Sequence, residues 1–250
     1  MKNKAFGLLV LLLLAPAFSL SADTLRVAVA SNFLPAAEQL KSSFESTTGH
    51  KLVLSSGSSG VLFAQISKGA PFDLFLSADS ERPKKLEEAG FIAVGTRQTY
   101  AVGRLVWWQP EVDLHGLDAL ASFSGRLALA NPRFAPYGQA AMQVIAKSQM
   151  TKLQLVRGSN VSQAFQFVDS GNADAALVPL SVLLAKSHLE ADDPKYQDYL
   201  RIPSRWHLQI EQQKVVIKRS KNRAVALEFQ SFLLSNESQS RIAKLGYLPN

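Results

Sequence analysis

Residues 24–54 read TLRVAVASNFLPAAEQLKSSFESTTGHKLVL, and this stretch decides the fold. Its opening run, Thr24–Ala30, is short and rich in β-formers, and reads as a strand. After the turn Ser31-Asn32-Phe33, the apolar residues Ala36, Leu40 and Phe44 recur at helical spacing. That spacing predicts a helix over Pro35–Thr48, stopped by Gly49. Lys51–Leu54 then reads as a second strand. Two strands joined by one helix form the crossover unit of a parallel sheet, because parallel neighbours need a connection of about a dozen residues or more.

Working outward, the same alternation continues. Val61–Lys68 reads as a helix ended by Gly69, Phe72–Leu76 as a buried strand, and Arg82–Ala89 as a helix closed by Gly90. The pattern then restarts. Leu105–Trp108 and Arg126–Ala130 are predicted strands, Gly138–Lys147 a helix, Val161–Ser170 a helix before Gly171, and Ala175–Val178 a buried strand. Beyond a polar stretch at Ala191–Ser204, Gln209–Lys218 reads as a long strand. Helices are expected at Ala224–Leu234 and near Gln239–Leu245. The fold class is therefore α/β, with two lobes that are each a mostly parallel sheet flanked by helices. Crossing strands are expected near Thr99–Arg104 and Val215–Arg219, which places residues 23–102 plus 219–250 in lobe 1 and residues 103–218 in lobe 2.

The first residues read as an export signal over residues 1–22. Lys2 and Lys4 precede an apolar run from Phe6 to Leu20, and Ser19, Ser21 and Ala22 supply a small-residue cleavage site. Pro16 and the shortness of the run argue against a membrane span of about 20 residues. The mature protein is thus expected in the periplasm, as a monomer. There are no cysteines, which excludes disulfides, thiol catalysis, thiolate metal sites and a lipid anchored on an N-terminal cysteine. Without Lys2 and Lys4, 25 basic residues face 20 acidic ones. The basic residues are scattered rather than clustered with aromatics, so no nucleic-acid partner is expected.

In open parallel sheets, ligands bind where strands end and helices begin. Four turns at such places are rich in hydroxyls, amides or glycine: Ala30-Ser31-Asn32-Phe33, Ser55-Ser56-Gly57-Ser58-Ser59-Gly60, the segment 131–138 (NPRFAPYG), and Gly158-Ser159-Asn160-Val161. Free N–H groups and the helix dipole make each helix start a ready anion site. Taken singly, each turn is an ordinary helix cap. Four together, two in each half, point to a shared cleft.

The remaining chemistry is sparse. His50, His115, His188 and His207 have no metal-ligand spacing, no G-x-S-x-G elbow occurs, and the Ser-Gly loop lacks the Gly-Lys-Ser/Thr of a phosphate-binding loop. A binding protein without catalytic residues or a cofactor is expected rather than an enzyme. None of the four turns contains Asp or Glu, although Asp73 and Asp79 lie close to the third strand's end. Such turns favour a fully deprotonated dianion over a monohydrogen anion, which would need a carboxylate as acceptor. Arg133 and Arg157 border two of the turns and are expected at the rim.

At these residues the chain resembles the periplasmic molybdate-binding proteins of ABC-type transporters. The segments that carry the resemblance are Val27-Ala28-Val29-Ala30-Ser31-Asn32, Ser58-Ser59-Gly60-Val61-Leu62-Phe63-Ala64-Gln65-Ile66, Thr96-Arg97-Gln98-Thr99-Tyr100 and Gly246-Tyr247. The most specific is Gly69-Ala70-Pro71-Phe72-Asp73-Leu74-Phe75-Leu76-Ser77-Ala78-Asp79. The resemblance spans essentially the whole mature chain. It implies a Venus-flytrap fold that captures molybdate, and tungstate with it, between its lobes and hands it to a permease with its ATPase. It also implies that molybdenum is met only as the oxyanion, without direct protein–metal ligands. By motif position, Ser31 and Ser59 would bind through hydroxyl and backbone N–H, and Asn32, Tyr137 and Val161 through backbone N–H. Sulfate or phosphate in the same fold is the alternative cargo, and a periplasmic enzyme on this architecture a more distant one. Many members carry a tyrosine after the strand at Ala175–Val178 whose hydroxyl helps hold the anion. Here that place reads Val178-Pro179-Leu180-Ser181, so the contact must be lost or replaced, with Tyr137 and Asn32 as candidates.

Overall fold

The computed structural model describes residues 22–112 and 116–248. All of the predicted export signal except Ala22, and His115, lie outside the described residues. Two five-stranded sheets organise the chain. In the first, the strands β1 (Thr24–Ala30), β2 (Lys51–Gly57), β3 (Leu74–Leu76), β4 (Gln98–Gly103) and β10 (Ile210–Val216) lie in the order β2-β1-β3-β10-β4. The second contains β5 (Leu105–Trp108), β6 (Ser124–Ala130), β7 (Lys152–Gly158), β8 (Ala175–Pro179) and β9 (Leu200–Arg201), in the order β7-β6-β8-β5-β9. Each sheet has one strand running against the rest: β10 is antiparallel to β3 and β4, and β5 is antiparallel to β8 and β9. The two lobes therefore repeat one plan, an α/β sheet that is mostly parallel.

Helices α1 (Leu34–Thr48), α2 (Ser59–Ser67), α3 (Glu81–Glu88), α7 (Arg223–Leu233) and α8 (Asn236–Lys244) cover the first sheet. On α1 the expected face is buried, Ala36, Leu40 and Phe44 together with Ala37, and Gly49 ends the helix at φ 76°. Helices α4 (Pro136–Lys147), α5 (Val161–Asp169) and α6 (Leu180–Leu189) pack in the second lobe. Its core is anchored by Trp107 and Trp108, both fully buried on β5. Trp108 stacks on Phe165 of α5 at 4.6 Å between ring centroids, and its indole N–H donates to the Lys195 carbonyl at 2.7 Å. The pairing gives this large ring both an apolar face and a polar partner.

Three departures from expectation have physical causes. Residues 209–218 were expected in lobe 2, yet β10 is hydrogen-bonded between β3 and β4 of the first sheet. The chain leaves the first sheet at Arg104, between β4 and β5, and returns ahead of Ile210. Val215 and Val216 of β10 bury in the lobe-1 core, which is the apolar surface that fixes the strand there. Strand β7 was not foreseen because it is an edge strand, with Lys152, Gln154 and Arg157 exposed. Helix α6 was not foreseen because its first turn, residues 180–183, is buried on every side, so no apolar and polar faces alternate there to mark a helical period. Among the described residues no helix is long and apolar enough to cross a membrane.

Candidate anion-binding site

Four helices begin where the carboxyl ends of the two sheets face each other. In lobe 1, β1 ends at Ala30 and the chain turns into α1. Ser31 N–H donates to the Gly57 carbonyl at 2.9 Å and Phe33 N–H to the Ala30 carbonyl at 2.8 Å. The Asn32 N–H between them finds no acceptor among the described residues. Strand β2 ends at Gly57, and Ser58 occupies the cap position of α2 in an extended conformation. Val61 and Leu62 N–H groups return to the Ser58 carbonyl at 3.1 Å, while the Ser59 N–H at the helix start has no acceptor among the described residues.

Lobe 2 presents the mirrored arrangement. After β6, Asn131 N–H donates to the Gly158 carbonyl at 2.7 Å, and Asn131 Oδ1 accepts from Arg133 N–H at 3.0 Å. These bonds fold the 131–135 loop so that Pro136 opens α4 and Tyr137 N–H follows without an acceptor among the described residues. Only glycine fits at 138, where a Cβ would lie 2.1 Å from the Ala130 carbonyl oxygen. After β7, Asn160 caps α5 by accepting from Gln163 N–H at 3.0 Å. Val161 N–H, the first of the helix, is again without acceptor among the described residues. Proline at the start of α4 and asparagine at the cap of α5 are local sequence choices that make these helix starts.

The turns enclose a cavity of about 180 Å³ including its mouth. Ser31, Asn32, Ser59, Tyr137 and Val161, the residues that motif position singles out, all line it, and none of its lining residues is charged. Ser59 Oγ accepts from Ala78 N–H at 2.9 Å, which leaves its own proton to donate elsewhere. Arg133 and Arg157 are exposed and do not line the cavity. Of the two carboxylates near β3, Asp73 accepts from Arg26 N–H at 2.8 Å and from Ser220 Oγ at 2.7 Å, away from the cavity. Asp79 is paired with Arg82 and accepts from Ser77 Oγ at 3.0 Å. Among the described residues no cluster of His, Cys, Asp or Glu could hold a metal ion. The chemistry is that of neutral donors at four converging helix starts, whose dipoles add positive potential without a charged side chain.

Behind the cavity lies a buried polar network that the sequence did not reveal. Asn32 Nδ2 donates to Gln212 Oε1 at 2.9 Å and to the Tyr247 hydroxyl at 3.1 Å. Gln212 Nε2 donates to the Tyr137 hydroxyl at 3.2 Å, and Tyr100 donates to Gln212 Oε1 at 3.1 Å. The Asn32 carbonyl accepts from Ser181 Oγ at 3.0 Å and from Tyr247 at 2.8 Å. Burial pushes the phenols of Tyr100, Tyr137 and Tyr247 above the usual tyrosine value, so all three remain neutral hydrogen-bonding groups. The side chains of Asn32 and Tyr137 are thus both engaged with Gln212. The network also ties the lobes together, since Tyr137 and Ser181 come from one and Asn32, Gln212 and Tyr247 from the other. The polar run Glu211-Gln212-Gln213-Lys214, set between Ile210 and the apolar Val215-Val216, was the signal available in the sequence.

Comparison with known proteins places this geometry. The description "Bacterial extracellular solute-binding protein" matches residues 25–248. The chain is 37% identical over 232 residues to the molybdate-binding protein ModA of Azotobacter vinelandii, with 90% of each chain covered. It is 35% identical over 243 residues to the molybdate-binding protein ModA of Rhodobacter capsulatus, covering 95% of this chain and 93% of that one. The solved structure of the Azotobacter vinelandii periplasmic molybdate-binding protein superposes with a TM-score of 0.78 at 33% identity, covering 90% of this chain and 99% of that one. Two like lobes with their strand ends turned toward one cavity, and relatives alike over nearly their full length, lead to one conclusion: the chain belongs to the bacterial extracellular solute-binding protein family.

Proposed function

We propose that this protein captures molybdate in the cavity between its lobes and delivers it to an ABC-type membrane transporter. The observation that carries the reading is the set of four backbone N–H groups, on Asn32, Ser59, Tyr137 and Val161, that line one uncharged cavity without acceptors among the described residues. A tetrahedral dianion offers only acceptors, and donors from both lobes can share its four oxygens. The hydroxyls of Ser31 and Ser59 complete the donor set. Without a carboxylate on the cavity, a monohydrogen anion has no strong acceptor for its proton, which disfavours phosphate. Tungstate, a dianion of the same shape, is bound with molybdate. Sulfate presents similar oxygens on a smaller frame, so its rejection rests on cavity size.

Capture proceeds by hinge closure about the two crossings, Arg104 and the stretch 207–209, which divide the lobes. The first lobe offers Ser31, Asn32 and Ser59, and closure brings the Tyr137 and Val161 amides onto the far side of the anion. Closure removes water, and each hydrogen bond to the charged ligand is then worth about 1.5–3 kcal/mol. In this reading residues 1–22 direct the protein to the periplasm and are removed. The mature monomer then docks on a permease served by its ATPase.

Calorimetric titration of the mature protein with molybdate, tungstate, sulfate and phosphate tests the reading. Tight one-to-one binding of molybdate and tungstate, with sulfate and phosphate much weaker, is expected. Tight binding of sulfate with none of molybdate would reassign the cargo.

A further inference from the structure

Among the described residues a single buried side-chain polar atom has no hydrogen-bond partner, Oγ of Ser58. Buried hydroxyls are ordinarily satisfied, and an orphan at a ligand cavity calls for a partner from outside the protein. Ser58 is 5% exposed and lines the cavity described above. Its position explains why the hydroxyl is spare. A serine before a helix normally accepts from the second or third amide of the helix. Here the Gly60 N–H donates across to the Phe134 carbonyl of the other lobe at 2.8 Å, and the Val61 N–H is taken by the backbone carbonyl of Ser58 itself. The capping task is done by backbone, and the side chain makes no cap hydrogen bond. Its neighbour Ser59 differs, because its oxygen already accepts from Ala78 N–H.

We propose that the Ser58 hydroxyl is a further ligand of the bound oxyanion, a third serine donor beside Ser31 and Ser59. The proposal rests on the oxyanion reading of the cavity. A tetrahedral oxyanion brings acceptors and no protons, so the hydroxyl has one role open to it, donation. It restores in number the hydroxyl contact that Pro179 cannot make, from the first lobe instead of the second. Because the donor sits on lobe 1, it acts in the open form as well and strengthens the initial encounter.

The test compares wild-type protein with Ser58→Ala by calorimetric titration with sodium molybdate and by thermal melting without the anion. The variant is expected to bind molybdate about tenfold more weakly, the loss of one hydrogen bond to a charged group. Its ligand-free melting temperature is expected to stay level or rise, because the orphan hydroxyl is gone. Wild-type affinity in Ser58→Ala overturns the proposal. A fall in the ligand-free melting temperature also overturns it, since the hydroxyl would then be satisfied within the protein. Failure of wild-type protein to bind molybdate would remove the underlying reading, a result distinct from either.

Discussion

Replacing Gly60 by alanine should separate lobe closure from lobe stability. Gly60 is the second residue of α2, and a Cβ there would lie 2.9 Å from the carbonyl oxygen and 3.0 Å from the Cα of Phe134, both backbone atoms of the opposite lobe. Arg82 Nη2 would be 3.1 Å away. Ordinary contact begins at 3.4 Å, so the lobes must part by about half an ångström at this point. The Gly60 N–H to Phe134 carbonyl bond, 2.8 Å long, stretches with them. Its loss costs about 0.5–1.5 kcal/mol. Tyr137 follows Phe134 on the same loop, so its amide draws back from the anion and gives up part of a bond worth about 1.5–3 kcal/mol. Together these amount to about 1.5–3 kcal/mol, or roughly tenfold to a hundredfold in affinity at about 1.4 kcal/mol per decade. The ligand-free protein should show the opposite sign, because alanine in a helix is favoured over glycine by about 0.5–1 kcal/mol. Calorimetry with molybdate and thermal melting of the ligand-free protein read the two effects. Molybdate affinity within twofold of wild type would refute the reasoning, for the lobes would then not meet at Gly60 in the bound state.

Ser59→Ala removes a hydroxyl donor and leaves the Ala78 N–H without its acceptor, so molybdate affinity should fall by about tenfold or more, and unchanged affinity on titration would take Ser59 out of the site. Tyr137→Phe keeps the backbone N–H and loses only the hydroxyl behind the cavity, which predicts a change of no more than about tenfold. A much larger loss on titration would mean that the hydroxyl itself binds the anion. Lys214, fully buried on β10 with its ammonium donating to Gln98 Oε1 at 2.7 Å, has its pKa lowered by burial to about 8. The unfolded chain, with an ordinary lysine value near 10.4, binds more protons between those values, so stability should rise as the pH climbs from about 8 toward 10. Above about pH 10 the buried tyrosines oppose the trend, because their raised values make the unfolded chain the readier to ionise. Lys214→Met should raise stability at pH 7 by about 2–3 kcal/mol and flatten the rise, and urea unfolding of both proteins that shows the same slope from pH 7 to 9.5 would contradict this.

What was legible in the sequence is what is local. Strands β1 and β5 fall on the residues whose apolar and β-branched runs announced them, and Gly49 ends α1 where the spacing stops. The four turns were legible because each joins a strand to a helix, whereas Ser31, Asn32, Ser59, Tyr137 and Val161 were singled out within them by the family resemblance; the repeated plan brings those turns to one cavity. Helix α2 begins at Ser59 rather than Val61, since two serines and a glycine read as turn although the helix start recruits them. The network behind the cavity was out of reach for a different reason. Asn32 and Gln212 are separated by 180 positions, and nothing near either in sequence reports that they touch. The placement of β10 in the first sheet has the same origin, as strand pairing across a crossing leaves no local mark.

The most direct test is to locate the anion itself. Crystals grown with sodium molybdate, measured at the molybdenum absorption edge, give an anomalous difference map that places the metal atom without reference to protein density. The account predicts one strong peak between the lobes, with the anion's oxygens within hydrogen-bonding distance of the amide nitrogens of Asn32, Ser59, Tyr137 and Val161. A peak outside that cavity, with the protein still binding molybdate in solution, would contradict it.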